Sequence, residues 1–231
     1  MRLQKFLAHA GLCSRRKAEI YILEGRIRVN DLIVKTLGTQ VDPEQDTIVF
    51  DNKQVDPPKA SAAYTYIAVN KPAGVITTCS QKKARIILDL VKIEKRVYPI
   101  GRLDKESVGL VLLTDDGQLH NRLSHPSHNH EKEYLVKTVS FISDAALTAM
   151  ADGMVIQGVK TRRARVNRIS DTEFKIILKQ GRNRQIRKMV DQTQNRVQSL
   201  QRIRMANITL GHLKEGEWRF LTPQEIKILT Q

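Results

Sequence analysis

A single carboxylate set between two cations, Arg102-Leu103-Asp104-Lys105, stands near the start of the segment Gly101 to Leu110, with glycines at 101 and 109. The segment runs straight into Val111-Leu112-Leu113-Thr114, an apolar strand that must be buried. A loop anchored on a buried strand can hold a reactive group still. Spacing alone nevertheless favours a solvated surface loop, which is the usual fate of a charge run.

Two other constellations invite chemistry. His125-Pro126-Ser127-His128-Asn129-His130 places three histidines in six residues. No cysteine is near, and one local cluster makes a poor ligand set, so a polar loop is expected and no metal. Asp115-Asp116 could hold a magnesium ion for a nuclease, but adjacent acids before a helical run serve better as the cap of a helix starting near Gly117. There is neither a phosphate-cradling Walker loop nor a GxGxxG fingerprint, and no cofactor is expected.

The elements that must position these groups fall into two parts. Residues 1 to 56 read as a small separate unit. Leu3, Phe6, Leu7 and Ala10 have helical spacing, Gly11 ends that run, and Ser14 can cap a second helix that stops at Gly25. Ile27 and Val29 alternate with Arg26 and Arg28 in a half-buried strand with a cationic outer face, Asn30-Asp31 makes a turn, and 48–50 is another strand. Residues 57–63, rich in proline and small side chains, read as a linker. From 64 to 231, strands are expected at 64–69, 75–78, 110–113, 133–139, 164–169, 173–179 and 197–203. Helices are expected at 86–92, 117–123, 143–151, 184–192 and 223–229, the last opened by the capping box Thr222-Pro223-Gln224-Glu225. Many strands with few crossover helices make an α+β domain with a largely antiparallel sheet.

Charge narrows the class of partner. The 231 residues carry 39 Lys and Arg against 24 Asp and Glu, a net +15 that points to a polyanion. The cations are concentrated: residues 1–35 hold eight against three acids, and residues 160–204 hold 14 against three. No long apolar run or basic amphipathic anchor suggests a membrane, and the first residues lack a leader-like apolar segment, so a cytoplasmic protein is expected. Cys13 and Cys79 are expected as free thiols.

These motifs carry a resemblance. The run Leu3-Gln4-Lys5-Phe6-Leu7, then Cys13 to Glu19, then Gly25-Arg26-Ile27-Arg28-Val29-Asn30, is similar to the S4 RNA-binding domain, which makes Arg15, Arg16, Lys17, Arg26 and Arg28 RNA-contact candidates. Asn70-Lys71-Pro72, the Gly101–Leu110 segment, Glu133-Tyr134-Leu135-Val136 and Gln180 to Met189 resemble, in order, the motifs of the bacterial ribosomal RNA pseudouridine synthases of the RsuA/RluB/RluE/RluF family. Nearest is the branch acting on large-subunit (23S) RNA. Ala206 stands where many members have glycine.

The resemblance implies a cofactor-independent isomerase that turns specific uridines of ribosomal RNA, or of a ribosome assembly intermediate, into pseudouridine, working as a monomer. It makes Asp104 the essential carboxylate, as nucleophile or base at the ribose, with Arg187 keeping it ionised. Tyr134 would lie against the base, and Arg102 would fill the space the flipped nucleotide leaves. Lys71 would shape the site floor without being catalytic, and Arg182, Arg184 and Lys188 would contact RNA. Rival readings are an S4-guided assembly factor that clamps RNA without altering it, the same enzyme acting on 16S or transfer RNA, and an S4-containing methyltransferase, which would need a cofactor loop that is absent.

Overall fold

The computed structural model describes residues 1–56, 64–80, 84–124 and 129–231. The chain divides into two compact units, Met1–Ala63 and Tyr64–Gln231. The expected linker 57–63 and His125 and His128 lie outside the described residues.

In the first unit α1 (Leu3–His9) buries Leu3, Phe6 and Leu7. Ser14 Oγ accepts from the Lys17 amide at 3.2 Å and starts α2 (Arg15–Leu23), which buries Ala18 and Ile22. This satisfies one of the free amides that open every helix. Strand β1 (Ile27–Val29) pairs antiparallel with β2 (Leu32–Val34) through Asn30 and Asp31, and with β3 (Ile48–Phe50). Both turn residues have positive φ, 49° and 65°, as a tight hairpin of this twist demands. A second such turn, Asp51-Asn52, joins β3 to β4 (Lys53–Gln54).

The second unit is built on β5 (Tyr66–Lys71), β6 (Tyr98–Ile100), β7 (Val108–Thr114), α3 (Gly117–Ser124), β8 (Lys132–Thr138) and α4 (Asp144–Asp152). There follow the hairpin of β9 (Val155–Ile156) and β10 (Val159–Lys160), then β11 (Arg165–Arg168), β12 (Glu173–Leu178), α5 (Gln185–Asp191) and β13 (Val197–Met205). The chain closes with β14 (Ile208–Thr209), β15 (Trp218–Phe220) and α6 (Pro223–Thr230). Among the described residues the strands other than the β9–β10 hairpin form a nine-stranded sheet in the order β11-β12-β8-β13-β7-β5-β15, with β14 on β13 and β6 on β7. Among the described strands only β7 and β13 pair in parallel, and the fold is α+β with a largely antiparallel sheet.

Strand β7 shows why the sheet is central. Val111 and Leu113 point into one apolar layer with Val69 and Val136, and Leu110 and Leu112 point into the other with Ala68 and Met205. An unbroken apolar run in the sequence is thus a strand covered on both faces. Asp116 caps α3, its Oδ1 accepting from the Gln118 and Leu119 amides at 2.9 and 3.0 Å, and its Oδ2 takes the Tyr66 hydroxyl at 2.9 Å. Thr222 and Glu225 form the expected capping box of α6.

Two expected elements change character. Residues 75–78 form no strand; they make one isolated bridge, Ile76 to Ile86, just after Gly74 at φ 84°. Residues 86–92 give a single 3-10 turn, Ile87–Leu90, begun by a bond from the Ile86 amide to Asp89 Oδ2. Paired β-branched residues at 86 and 87 resist a longer helix.

The parallel crossing of β7 and β13 depends on Gly109. Its φ is 104°, and a Cβ there would lie 2.3 Å from the Arg202 carbonyl oxygen. Gly109→Ala should therefore cost about 3 kcal/mol, the sum of backbone strain and an overpacked backbone contact. Urea unfolding followed by Trp218, the chain's one tryptophan, checks this, and an unchanged midpoint would contradict it.

Candidate active site

The loop from β6 to β7 carries Asp104 to the wall of a cavity of about 500 Å³. Thr77, Arg102, Tyr134, Leu200 and the approach to α5 complete the lining. The loop is closed by a turn in which the Ser107 amide donates to the Asp104 carbonyl at 3.1 Å. The carboxylate itself is partly exposed, so it faces the cavity rather than the core.

Two arginines from the other side of the cavity meet it. Ile186, Met189 and Val190 are buried and fix the orientation of α5. Arg187 Nε then lies 3.8 Å from Asp104 Oδ2, and its Nη2 donates to the buried Ser107 hydroxyl at 3.2 Å. Arg184, at φ 52° in the left-handed region, holds Nη1 at 3.9 Å from the same Asp104 oxygen and 3.4 Å from Glu106 Oε2. A bulky residue in that conformation stores strain of about 1–3 kcal/mol, and here it directs a guanidinium at the carboxylate. The Glu106 carboxyl is held below the usual range by its own amide, with Arg184 and Arg187 adding to the effect.

Tyr134, at the start of β8, is 8% exposed with its ring in the apolar layer and one side on the cavity. Arg102 is exposed at the rim. Of the remaining cations expected around the site, Arg182 donates to the Val159 carbonyl at 3.1 Å and Lys188 to Gln157 Oε1 at 3.0 Å, so both also secure the β9–β10 hairpin against α5. Asp104, Tyr134, Arg102, Arg182 and Arg184 share one cavity, with Arg187 behind the carboxylate.

The basic residues of the first unit divide. Arg15, Arg16 and Lys17 are exposed on the first turn of α2, where cations oppose the helix dipole. Arg26 instead stacks 4.3 Å from the Tyr21 ring centroid and 4.8 Å from that of Phe50, and its Nε donates to Asp51 Oδ1 at 2.9 Å. Arg28 bonds Asn52 Oδ1. Both hold the turn between β3 and β4, a role that strand alternation did not indicate.

Under the loop lies Lys71, the residue expected to shape the site floor, held by bonds that no local pattern reveals. Lys71 is fully buried, and its ammonium donates to the carbonyls of Pro72 and Val75 at 2.9 Å and of Lys105 at 3.2 Å. Burial pushes its pKa down to about 8 from 10.5, against the pull of Glu106 and Asp104. The folded chain therefore binds fewer protons than the unfolded chain between these two values, and the stability owed to Lys71 rises with pH across that window. The urea midpoint of wild type relative to Lys71→Met should increase from about pH 7.5 to about pH 10. A constant or falling difference would contradict the assignment.

A family model described as RNA pseudouridylate synthase matches residues 65–192, and the S4 domain model matches residues 1–48. The chain is 40% identical over 226 residues to "Dual-specificity RNA pseudouridine synthase RluF" of Escherichia coli O6:H1, covering 98% of this chain and 77% of that protein. It is 37% identical over 236 residues to "Ribosomal large subunit pseudouridine synthase B" of Bacillus subtilis, covering 99% and 95%. A crystal structure of a pseudouridylate synthase superposes with a TM-score of 0.72 at 32% identity over 99% of both chains. The loop with its arginine-flanked carboxylate and the S4 match thus occur in one chain, which belongs to the RNA pseudouridine synthase family.

Proposed function

We propose that this enzyme acts on one or a few uridines of large-subunit ribosomal RNA, with Asp104 as the reacting carboxylate. The observation that carries the reading is the placement of one Asp104 oxygen within 4 Å of two guanidinium groups at a cavity shared with Tyr134. The large-subunit assignment draws on the Bacillus subtilis relative named for that activity.

The reaction breaks the bond from ribose C1′ to uracil N1, turns the base, and joins C5 to C1′. The C5 proton is lost and N1 gains one, so atoms and electrons balance without a donor or an oxidant. Asp104 acts at the ribose as nucleophile or base, and either role requires the charged form. Arg187 Nε lacks a hydrogen-bond acceptor among the described residues and stands 3.8 Å from the carboxylate. Such contacts tighten when substrate closes the site, so Arg187, braced by Ser107, steadies the charge through the reaction. Tyr134 offers the extruded base a face to replace lost stacking, and Arg102 fills the gap in the RNA. Arg15, Arg16 and Lys17, with Arg182 and Arg184 on the cavity and Lys188 on α5, take phosphates, which position RNA without reading sequence. Ribosomal RNA as substrate places the work in the cytoplasm, and each residue given a role in this reading comes from a single chain, in keeping with a monomer.

Pseudouridine mapping of ribosomal RNA from a deletion strain, complemented with wild type or with Asp104→Ala, tests this reading. We expect one or a few large-subunit positions to disappear and to return only with wild type. Return of the mark with Asp104→Ala would overturn the role of Asp104. Loss confined to small-subunit or transfer RNA would overturn the substrate, and no change at any position would favour an RNA-clamping assembly factor.

A further inference from the structure

Asp104 sits in a loop, yet both of its neighbours in the chain are gripped from the same segment, residues 71 to 77. On the C-terminal side the Lys105 carbonyl accepts from Lys71 Nζ at 3.2 Å and from the Gly74 amide at 2.8 Å. On the N-terminal side the grip is a single hydroxyl. Thr77 Oγ1 accepts from the Leu103 amide at 3.3 Å and donates to the Leu103 carbonyl at 3.1 Å. A hydroxyl is the smallest side-chain group that can give and take at once.

Thr77 is 3% exposed, and Leu103 is buried in the apolar layer. Water is a poor substitute for either bond at such depth, so removing the hydroxyl leaves two peptide groups unpaired. Thr77 itself is held by backbone on either side: the Ile76 amide donates to the Arg85 carbonyl at 3.0 Å, and the Ile76 carbonyl accepts from Ile87 at 2.9 Å and from Thr78 at 3.1 Å. The segment that failed to become a strand is therefore a fixed post, and its free valence is spent on the residue before Asp104.

We propose that Thr77 is a positioning residue for the isomerisation, its hydroxyl setting the direction in which the Asp104 carboxylate enters the cavity. The inference rests on the reading of Asp104 as the reacting group. Rotating the peptide between Leu103 and Asp104 swings the carboxylate relative to Arg187 and to the bound ribose. A displacement of about 1 Å at a reacting group costs up to about a hundredfold in rate. Packing alone would ask only for bulk at position 77, which valine supplies; the two buried peptide groups of Leu103, and with them the direction of Asp104, ask for the hydroxyl.

The test uses Thr77→Ser, Thr77→Cys and Thr77→Val in the full chain. The RNA is a transcript of the segment identified by mapping, with uridine tritiated at C5, and tritium release is followed in single turnover beside RNA affinity and Trp218-monitored melting. Serine should stay within about threefold of wild type, valine should fall by about ten- to a hundredfold, and cysteine should lie between, all with RNA affinity within about twofold. Valine at the wild-type rate, serine as slow as valine, or losses that track RNA affinity would overturn the proposal. If valine does not fold, serine faster than cysteine at equal affinity supports it and equal rates overturn it. Asp104→Asn is run beside them: an active Asn variant would remove the underlying reading, whereas an inert Asn variant with full-rate valine removes only the role of Thr77.

Discussion

A loop carboxylate with two arginines against it would be drawn wherever those arginines move, unless its backbone is anchored more firmly than its side chain. Here the anchor is a set of buried hydrogen bonds beneath residues 103 to 105. Lys71, without exposed surface, binds three carbonyls, one of them Lys105. An unpaired ammonium at that depth would cost several kcal/mol. The three acceptors offset that cost only in one arrangement of the loop, so the cation specifies geometry more than it adds stability. The negative charge of Asp104 and Glu106 above it contributes to the same end, since both favour the charged lysine.

The sheet supplies the second half of the constraint. A register row crosses four adjacent strands, from Lys71 on β5 to Gly109 on β7, Arg202 on β13 and Tyr134 on β8. Gly109 is the point at which β7 and β13 approach closely enough for that row to be continuous. Beyond it Arg202, 1% exposed, donates Nε to the Leu110 carbonyl at 2.7 Å and fills the space where the two strands part. The floor lysine and the tyrosine of the cavity are thus set by the same strand pairing, and a shift of one residue in any strand would turn one of them to the opposite face.

What could be read from the sequence follows from how local the cause is. The bracket of glycines around Asp104, the Ser14 cap, the Asp116 cap and the Thr222–Glu225 box each act within a few residues, and each is found where its spacing places it. Strands β2, β4, β6, β9, β10, β14 and β15 span only two or three residues, too few to show a period, and went unassigned. The stretch 75–78 has the composition of a strand, but its hydrogen bonds go to Leu103 and to residues 85 and 87, partners that no local pattern reveals. Arg26 lies just before β1 rather than on it, and its side chain turns to Asp51, Tyr21 and Phe50, partners that alternation does not reveal. The site was legible as a motif, with Lys71 at its floor; the bonds that support it were not, because they join segments about 30 residues apart through one hydroxyl and one ammonium.

The most direct measurement is C5-tritium release by purified wild type and Asp104→Asn on the same RNA, with binding measured in parallel. Asparagine keeps the shape and removes the charge. The account predicts a loss of at least about 10³-fold in rate, with RNA held as tightly as by wild type or more so, since a negative charge near phosphates is gone. An Asn variant that turns over at a rate close to wild type, while binding RNA normally, would contradict it.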